Sequence, residues 1–363
     1  MNTLRKTSLW ALLMLSTLAL HGQTGKKGLK DAYKKDFLIG VAVNQRNVSV
    51  PEQMAMIRRH FSSITAENDM KPQPTEPQEG VFNWEGADRI ADFCRQQGIP
   101  LRGHCLVWHN QIGRWMYTNP DGSLVTKEVL FERMRNHIHA IVTRYKDVVY
   151  CWDVVNEAMT DDPRAENPYR QSPLYQIAGD EFIAKAFIYA READPNALLF
   201  YNDYNEADPV KSERIFQMVK QMKERGVPID GIGMQAHYNI YGPSAQEVDA
   251  AIEKYKQVVD HIHVTELDVR INREMGGGLD FSREGTAMTD SIAQRHAERY
   301  AELFRVFRKH SDVIDCVTFW NLGDRDSWLG ARNYPLLFDE QYLPKPSYDA
   351  VMKVAKEKIK CTH

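Results

Sequence analysis

The sequence has few cysteines and no excess of basic charge, and these shortages exclude several classes of protein. Five cysteines occur in 363 residues without a Cys-x-x-Cys pair, which argues against zinc-ribbon and thioredoxin-like sites. Lys and Arg total 46 against 49 Asp and Glu, so no basic surface indicates a nucleic acid or an anionic membrane as partner. No proline- or serine-rich linker divides the chain, which leaves no room for a second domain.

The N-terminal apolar run is too short to cross a bilayer. Arg5 and Lys6 precede this run, residues 9–20, which ends in a stretch of small and polar residues. This pattern predicts a secretory signal peptide, residues 1–22, and a mature domain, residues 23–363. No cysteine follows the run, so we expect no lipid anchor and predict export to the periplasm or the medium. The odd number of cysteines leaves at least one thiol without an internal partner, and the pairing of the others stays open.

Beyond this segment, strand-like apolar runs alternate with helical patterns. The expected strands are residues 37–44, 61–68, 99–108, 148–157, 198–205, 231–237, 262–269 and 313–321. The expected helices are residues 51–60, 84–98, 127–145, 182–192, 211–225, 293–310 and 348–360. Eight strands that alternate with helices predict an α/β protein with a single (β/α)8 TIM barrel. A glycine-rich stretch, residues 276–278, is expected to form a flexible loop or lid after the seventh strand.

Most of the expected strands end in polar or aromatic side chains. These are Glu67, Asn68, His104, Trp108, Asn156, Glu157, Asn202, Asp203, Gln235, His237, Glu266 and Trp320. In a barrel the C-terminal strand ends converge on one face, where barrel enzymes carry their catalytic groups. A barrel built for stability alone has no need of so many polar strand ends. The sequence therefore predicts an active site on this face.

Two of these side chains, Glu157 and Glu266, are carboxylates from distant strands. Such a pair suits glycoside hydrolysis, in which one carboxyl group protonates the leaving oxygen while the other attacks or guides water. The two environments must differ, because the pKa of the acid has to be raised while its partner stays ionised. Asn156 is placed to donate to a sugar hydroxyl. Asp268 lies on the same strand face as Glu266 and is predicted to orient this nucleophile together with His237.

Several ordered motifs resemble those of glycoside hydrolase family 10, the endo-β-1,4-xylanases. The motifs are AENDMKP, GHCLVWH, WDVVNEA, YNDYN, HVTELDV and DSW, and the similarity extends over residues 30–360. The resemblance implies a retaining mechanism with Glu157 as acid/base and Glu266 as nucleophile, for which the carboxyl groups lie about 5–5.5 Å apart. It implies xylan and xylo-oligosaccharides as substrate, with no cofactor, no metal, no membrane anchor and no protein partner.

The resemblance also assigns residues that hold sugar. It implies that Glu67, Asn68 and Lys71 bind on the glycone side, and that His104, Trp108 and Asn156 surround the sugar at the cleavage point. Gln235 and His237 match residues that touch this sugar and the nucleophile. Trp320 and Trp328 match an aromatic wall over the glycone sites, and Tyr204 matches a residue toward the leaving group. Two positions depart from the family pattern: Asn321 replaces a usual Gly, which we expect to reshape the wall near Trp320, and Cys105 replaces a usual Thr.

Three other functions are compatible with parts of the sequence. A metal-dependent barrel hydrolase would use His-x-His pairs, but His137 and His139 fall within a helix, and His261 and His263 at the start of a strand, the wrong end of the barrel. A carbohydrate-binding barrel without activity would need the tryptophans but not both glutamates. Another β-glycanase, acting on cellulose or mixed-linkage glucan, differs from a xylanase only in how the wall closes around the sugar.

Overall fold

The computed structural model describes residues 27–272 and 287–358. Three predicted features lie outside these residues: the signal peptide, the glycine-rich segment 276–278, and Cys361. Among the described residues, no helix has both the length and the apolar character needed to cross a membrane. The other four cysteines are buried free thiols: Cys94, Cys105, Cys151 and Cys316.

Eight of the nine strands in the described part of the chain close into a parallel barrel. The strands of the structure are β1 (Leu38–Val43), β2 (Ser63–Ala66), β3 (Leu101–Trp108), β4 (Val149–Asn156), β5 (Leu198–Asp203), β6 (Gly231–Met234), β7 (His237–Asn239), β8 (His261–Arg270) and β9 (Ile314–Phe319). Going round the ring, β1 to β6 follow chain order, β6 pairs with β8, and β9 pairs back to β1. Strand β7 pairs only with the end of β8. The predicted (β/α)8 barrel is confirmed.

Helices surround this ring. They are α1 (Leu29–Tyr33), α2 (Pro51–His60), α3 (Pro72–Thr75), α4 (Glu85–Gln97), α5 (Lys127–Tyr145), α6 (Pro173–Ala178), α7 (Glu181–Ala193), α8 (Pro209–Glu224), α9 (Ala245–Tyr255), α10 (Asp290–Lys309) and α11 (Pro346–Val354). Their ends follow local chemistry. Proline opens α2 and α8, where its fixed φ suits a first helical residue. Gly98 ends α4 at φ 62°, a left-handed conformation that glycine adopts readily.

The expected sixth strand, residues 231–237, is divided in two. β6 ends at Met234, and Ala236 has a φ of 58°, which breaks the extended run. The chain then resumes as β7, which lies beside the last residues of β8 and pairs His237 with Asp268. The prediction of one continuous strand was wrong because an alanine gives no sign of a left-handed turn.

The helix predictions were incomplete: the short helices α1, α3 and α6 were not predicted, and two further differences concern longer helices. Helix α9, which a Ser244–Glu247 capping box begins, was not predicted, although it supplies the crossover before β8. The last helix ends at Val354 and not at residue 360 as expected. The other predicted elements are present, with ends that differ by a few residues.

A buried ionic chain lies inside the barrel beneath the expected site. Arg102 of β3 forms an ion pair with Asp153 of β4, and both side chains are almost completely buried. Arg102 also donates to Nδ1 of His263 across 2.6 Å, and burial lowers the pKa of His263 to about 4, so this ring is a neutral acceptor. Asp153 in turn lies 2.9 Å from Nδ1 of His104. The interior charges therefore hold His104 in one orientation at the C-terminal face.

Candidate active site

The two glutamates lie at the C-terminal face of the barrel. Glu157 directly follows β4, and Glu266 lies in the second half of β8. Strands β5 and β6 separate β4 from β8 in the ring. Because parallel strands end at the same rim, both carboxylates lie on one face of the barrel.

Glu157 accepts three hydrogen bonds from neighbouring side chains. Trp108 Nε1 donates to Oε2 across 2.8 Å, while Gln235 Nε2 and Asn156 Nδ2 donate to Oε1 across 3.0 and 3.1 Å. Burial raises the pKa of Glu157, and the negative charge of Asp203 raises it further, against the hydrogen bonds from Gln235 and Trp108. Glu157 therefore favours the protonated form more than an exposed glutamate does.

Glu266 has the opposite electrostatic environment. Its burial alone would raise its pKa, but a hydrogen bond from His237 and electrostatic interactions with His104 and His237 outweigh burial and lower the pKa. His237 Nε2 lies 3.1 Å from Oε2, and Asn202 Nδ2 donates to Oε1 across 2.9 Å. Glu266 therefore stays ionised.

His237 transmits the charge of a third carboxylate to Glu266. Its Nδ1 lies 2.9 Å from Oδ2 of Asp268, and this oxygen also accepts a hydrogen bond of 2.9 Å from Trp328 Nε1. Burial opposes protonation of His237, but Asp268 and Glu266 raise its pKa to about 10. His237 is therefore an imidazolium held between two carboxylates, and it donates a hydrogen bond to each of them.

A chain of side-chain amides connects the two glutamates. Asn202 Nδ2 donates to Oδ1 of Asn156 across 2.9 Å as well as to Glu266, and Gln235 Nε2 lies 3.3 Å from the same Asn156 oxygen. Thr265 Oγ1 donates to Oδ1 of Asn202 across 2.7 Å. The position of the Asn202 side chain requires glycine at residue 233, since a Cβ at Gly233 would lie 2.2 Å from Asn202 Oδ1. The amide chain fixes the relative positions of the two carboxylates.

The expected glycone-side residues form a second group next to Trp108. Lys71 Nζ donates to Oδ1 of Asn68 across 2.8 Å and lies 5.0 Å from the centre of the Trp108 ring. Lys71 is only 7% exposed and Glu67 only 9%, which is unusual for charged side chains. Burial raises the pKa of Glu67, while the charge of Lys71 lowers it. Polar groups buried at this depth form a wall able to hydrogen-bond a polyhydroxylated ligand.

Two tryptophans pack edge-on against the histidines of the site. Trp320 lies 5.3 Å from the ring of His104, and Trp328 lies 5.0 Å from the ring of His237. Both contacts are T-shaped, which is a favourable arrangement for aromatic rings. The two side chains expected to form an aromatic wall thus lie beside His104 and His237, on the Glu266 side of this face.

Tyr204 lies apart from this wall, in a cluster of charges after β5. Its hydroxyl donates to Asp161 and accepts a hydrogen bond of 2.8 Å from Arg170 Nη2. Lys211 Nζ lies 3.8 Å from the centre of its ring and 2.6 Å from Asp161 Oδ1. The ring is thereby fixed on the Glu157 side of this face, where Arg170 contacts both residues.

The histidines that suggested a metal site are engaged elsewhere. His137 is buried 2.7 Å from Glu76, and His261 lies 2.7 Å from Asp315 at the N-terminal end of the barrel. In residues 27–272 and 287–358, no group of three or more His, Cys, Asp or Glu side chains is arranged to hold a metal ion.

Comparison with known proteins identifies the family. A model of the family "Glycosyl hydrolase family 10" matches residues 28–354, nearly the full length of the described barrel. The chain belongs to glycosyl hydrolase family 10. A family 10 structure described as a psychrophilic endo-β-1,4-xylanase is 64% identical, with a TM-score of 0.87, and the match covers 90% of this chain and 99% of that one.

Two curated relatives differ in length. The endo-1,4-β-xylanase/feruloyl esterase of Xylanibacter ruminicola is 54% identical over 91% of this chain, but the match covers 48% of that protein. The endo-1,4-β-xylanase of Geobacillus stearothermophilus is 44% identical over 90% of this chain and 98% of its own length. The chain thus spans about half of the first relative and nearly all of the second.

The two departures from the family 10 pattern have different structural settings. Asn321 is buried beside Trp320 and has a φ of 100°, a conformation that favours glycine, and this accounts for the residue usual at the position. Cys105 is completely buried in β3, and burial raises the pKa of its thiol well above the ordinary value. Cys105 is therefore an unreactive thiol that packs in the barrel wall.

Three residues that shape this family 10 site had no role assigned from the sequence. Asn202 was recognised only as a polar strand end, although it contacts both the amide chain and Glu266. Asp153 was counted as part of a buried strand, although it holds His104. Arg170 lies in the loop after β4 and reaches the carbonyl oxygen of Glu157. The alternation of Asp153 with buried apolar neighbours was the one available signal.

Proposed function

We propose that this chain is an endo-1,4-β-xylanase that hydrolyses internal β-1,4 bonds of xylan with retention of configuration. The observation that carries the proposal is the placement of two carboxylates on one face of the barrel, where Asn202 donates both to Glu266 and to the neighbouring Asn156. Their pKa values shift in opposite directions, since that of Glu157 is raised and that of Glu266 is lowered. This is the division of labour that a glycosidase needs. Membership of family 10 and the names of the relatives support xylan as the substrate.

The first chemical step uses both glutamates. Glu157 gives its proton to the glycosidic oxygen while an ionised oxygen of Glu266 attacks the anomeric carbon, which yields a covalent glycosyl-enzyme and a free leaving chain. The hydrogen bond from Asn202 keeps one oxygen of Glu266 in place. His237 occupies the other oxygen and holds the negative charge on the nucleophile.

The second step reverses these roles. Glu157, now ionised, removes a proton from a water molecule, which attacks the anomeric carbon and releases Glu266. The hydrogen bonds from Trp108 and Gln235 stabilise the ionised Glu157 between the steps. Because each step inverts the anomeric carbon, the product retains the β configuration.

The remaining polar and aromatic residues of this face are proposed to hold the sugar. Asn156 lies between Glu157 and Asn202 and is assigned to the 2-hydroxyl, a contact that strengthens in glycosidase transition states. Glu67, Asn68 and Lys71 are assigned to hydroxyls on the glycone side, with Trp320 and Trp328 as the aromatic wall. Tyr204 is assigned to the leaving-group side. Xylose lacks the hydroxymethyl arm of glucose, so a wall closed at that position favours xylan.

The test compares two variants on two kinds of substrate. Glu266→Ala should abolish turnover of every glycoside. Glu157→Ala should lose activity on xylan but spare aryl xylobiosides whose leaving groups need no proton. Equal losses on activated and natural substrates in Glu157→Ala would contradict the acid role. Release of reducing sugar from mixed-linkage glucan or cellulose, but not from xylan, would retain the mechanism and contradict the substrate.

We also propose that the protein is exported. The sequence pattern of residues 1–22 supports a signal peptide, and a polymeric substrate is met outside the cytoplasm. N-terminal mass spectrometry of the protein from a cell that expresses the full chain tests this, with cleavage expected near Gly22. An uncleaved N-terminus in the cytoplasmic fraction would contradict export.

A further inference from the structure

Glu157 has an unusual backbone conformation for the residue that carries the reaction's proton. Its φ is 59°, in the left-handed region that non-glycine residues avoid. The backbone amide of Glu157 donates to the carbonyl oxygen of Asn202 across 2.9 Å, which continues the pairing of β4 with β5. The chain must turn away directly after this bond, and nothing in a regular strand holds the peptide that follows.

The first support for this peptide is the hydroxyl of Tyr201. It accepts hydrogen bonds from the backbone amides of Ala158 and Met159 across 3.0 and 3.2 Å. The same hydroxyl donates a hydrogen bond to Asp203 Oδ2 across 2.5 Å. Tyr201 is completely buried in β5, so the two amides that follow Glu157 are fixed to the neighbouring strand.

The second support is the guanidinium of Arg170. Its Nε donates to the carbonyl oxygen of Glu157 across 3.0 Å, and its Nη2 donates to Tyr204 across 2.8 Å. The guanidinium also pairs with Asp161 across 3.2 Å. The backbone amide of Arg170 donates to the carbonyl oxygen of Ala158 across 2.8 Å. The peptide after Glu157 is therefore held at its oxygen by Arg170 and at its nitrogen by Tyr201.

We propose that Arg170 and Tyr201 are positioning residues for the acid/base, and that they act by holding Glu157 in its left-handed conformation. This inference rests on the proposed function, because it assumes that Glu157 delivers a proton to the leaving oxygen. Neither side chain contacts the carboxyl group of Glu157, whose hydrogen bonds come from Trp108, Gln235 and Asn156. Their hydrogen bonds reach the backbone on either side of the peptide that follows Glu157.

The charges around Tyr201 and Arg170 also favour the protonated form of Glu157. Asp203 accepts a hydrogen bond from the Tyr201 hydroxyl and pairs with Lys211 across 2.9 Å, and its negative charge raises the pKa of Glu157. Tyr201 therefore both fixes the backbone that follows the acid and contacts the residue whose charge favours the protonated acid.

The experiment uses Arg170→Met and Tyr201→Phe in the full chain, with Arg170→Lys as a milder change. Each variant is assayed on two aryl β-xylobiosides, one with an activated leaving group such as 4-nitrophenol and one with unsubstituted phenol. General acid catalysis contributes roughly 100-fold to 10,000-fold, and only the second substrate depends on it. We expect kcat/KM to fall by about 10-fold or more on the phenyl substrate and by less than about 3-fold on the nitrophenyl one, since small misplacements at a reacting centre are costly.

Two matched controls separate positioning from general loosening. Arg214 fastens the same loop by donating to the carbonyl oxygens of Asp162 and Ala165 across 2.7 and 2.8 Å, but it does not contact Glu157. Tyr33 is a buried tyrosine whose hydroxyl donates to the carbonyl oxygen of Val351 across 2.6 Å in another part of the barrel. Arg214→Met and Tyr33→Phe should show the same ratio of the two activities as the unaltered chain.

The possible outcomes are distinct. Equal losses on both substrates in Arg170→Met and Tyr201→Phe, or no loss at all, would overturn the inference. If Arg170→Met does not fold, Tyr201→Phe and Arg170→Lys decide by the same ratio. Glu157→Ala serves as the reference: if it shows no difference between the substrates, the proposed acid role itself fails. If it shows the difference and the positioning variants do not, only the inference fails.

Discussion

Replacement of Asp268 by asparagine should move the acidic limit of activity to higher pH. Asp268 is fully buried, and its charge is the main reason that His237 is protonated despite burial. Asparagine has nearly the same shape, and its side-chain oxygen can still accept hydrogen bonds from Trp328 Nε1 and His237 Nδ1. The substitution therefore removes a charge while leaving the hydrogen-bonded geometry largely intact.

The size of the effect follows from the contact between His237 and Glu266. His237 Nε2 lies 3.1 Å from Glu266 Oε2. At an effective dielectric constant of about 20, opposite charges about 4 Å apart interact by roughly 4 kcal/mol, which is an upper limit near three pKa units. Measured effects of a neighbouring opposite charge are about one to three units. Because the imidazolium lowers the pKa of Glu266, a neutral His237 lets that pKa rise by at least about one unit.

The assay is the pH dependence of kcat/KM on an aryl xylobioside. Its acidic limb reports the deprotonation of the nucleophile in the free enzyme, so this limb should move up by at least about one pH unit in Asp268→Asn. The matched control is Asp315→Asn, which alters an Asp–His pair of 2.7 Å at the opposite end of the barrel. An acidic limb that stays in place in a folded Asp268→Asn protein would refute the electrostatic role given to His237.

Three further predictions concern stability, packing and metals. Asp153→Ala should lower the free energy of unfolding by about 3–5 kcal/mol, because it leaves the buried charge of Arg102 unpaired. Urea unfolding measures this loss, and Glu85→Ala, which removes an exposed ion pair, is the control. A loss in Asp153→Ala no larger than that in Glu85→Ala would contradict the prediction. Gly233→Ala should lower kcat/KM by about 10-fold or more, since the new methyl group would lie 2.2 Å from Asn202 Oδ1. Circular dichroism should show an unchanged fold. Unaltered kinetics would refute the role of the amide chain. Exhaustive chelation should leave xylan hydrolysis unchanged, and loss of activity that returns with a divalent metal would refute the two-carboxylate chemistry.

The barrel could be predicted from the sequence because its strands are buried on both sides. A run such as residues 148–157 is apolar until the point at which it reaches the active face, so its end marks both the strand and the site. The break at Ala236 could not be predicted, because the left-handed turn there serves the pairing of His237 with Asp268, which is a contact between distant segments. Local patterns report burial along one strand and not the needs of a neighbouring strand.

The candidate site shows the same division. Glu157 and Glu266 stand out as carboxylates at the ends of apolar runs, and Asp268 follows from the two-residue period of the strand. Arg170 has no such pattern, because its contact with Glu157 depends on how a loop of irregular structure folds back. Asn202 was visible as a polar residue, but its place between two carboxylates depends on the order of strands in the ring.

The most direct test of the account is proton NMR of the purified protein digesting soluble xylan, with the anomeric signals followed from the first minutes. Retention by Glu157 and Glu266 predicts that new reducing ends appear first as the β anomer and equilibrate later, while xylo-oligosaccharides accumulate. Reducing ends that appear first as the α anomer would mean a single inverting displacement and would contradict the mechanism.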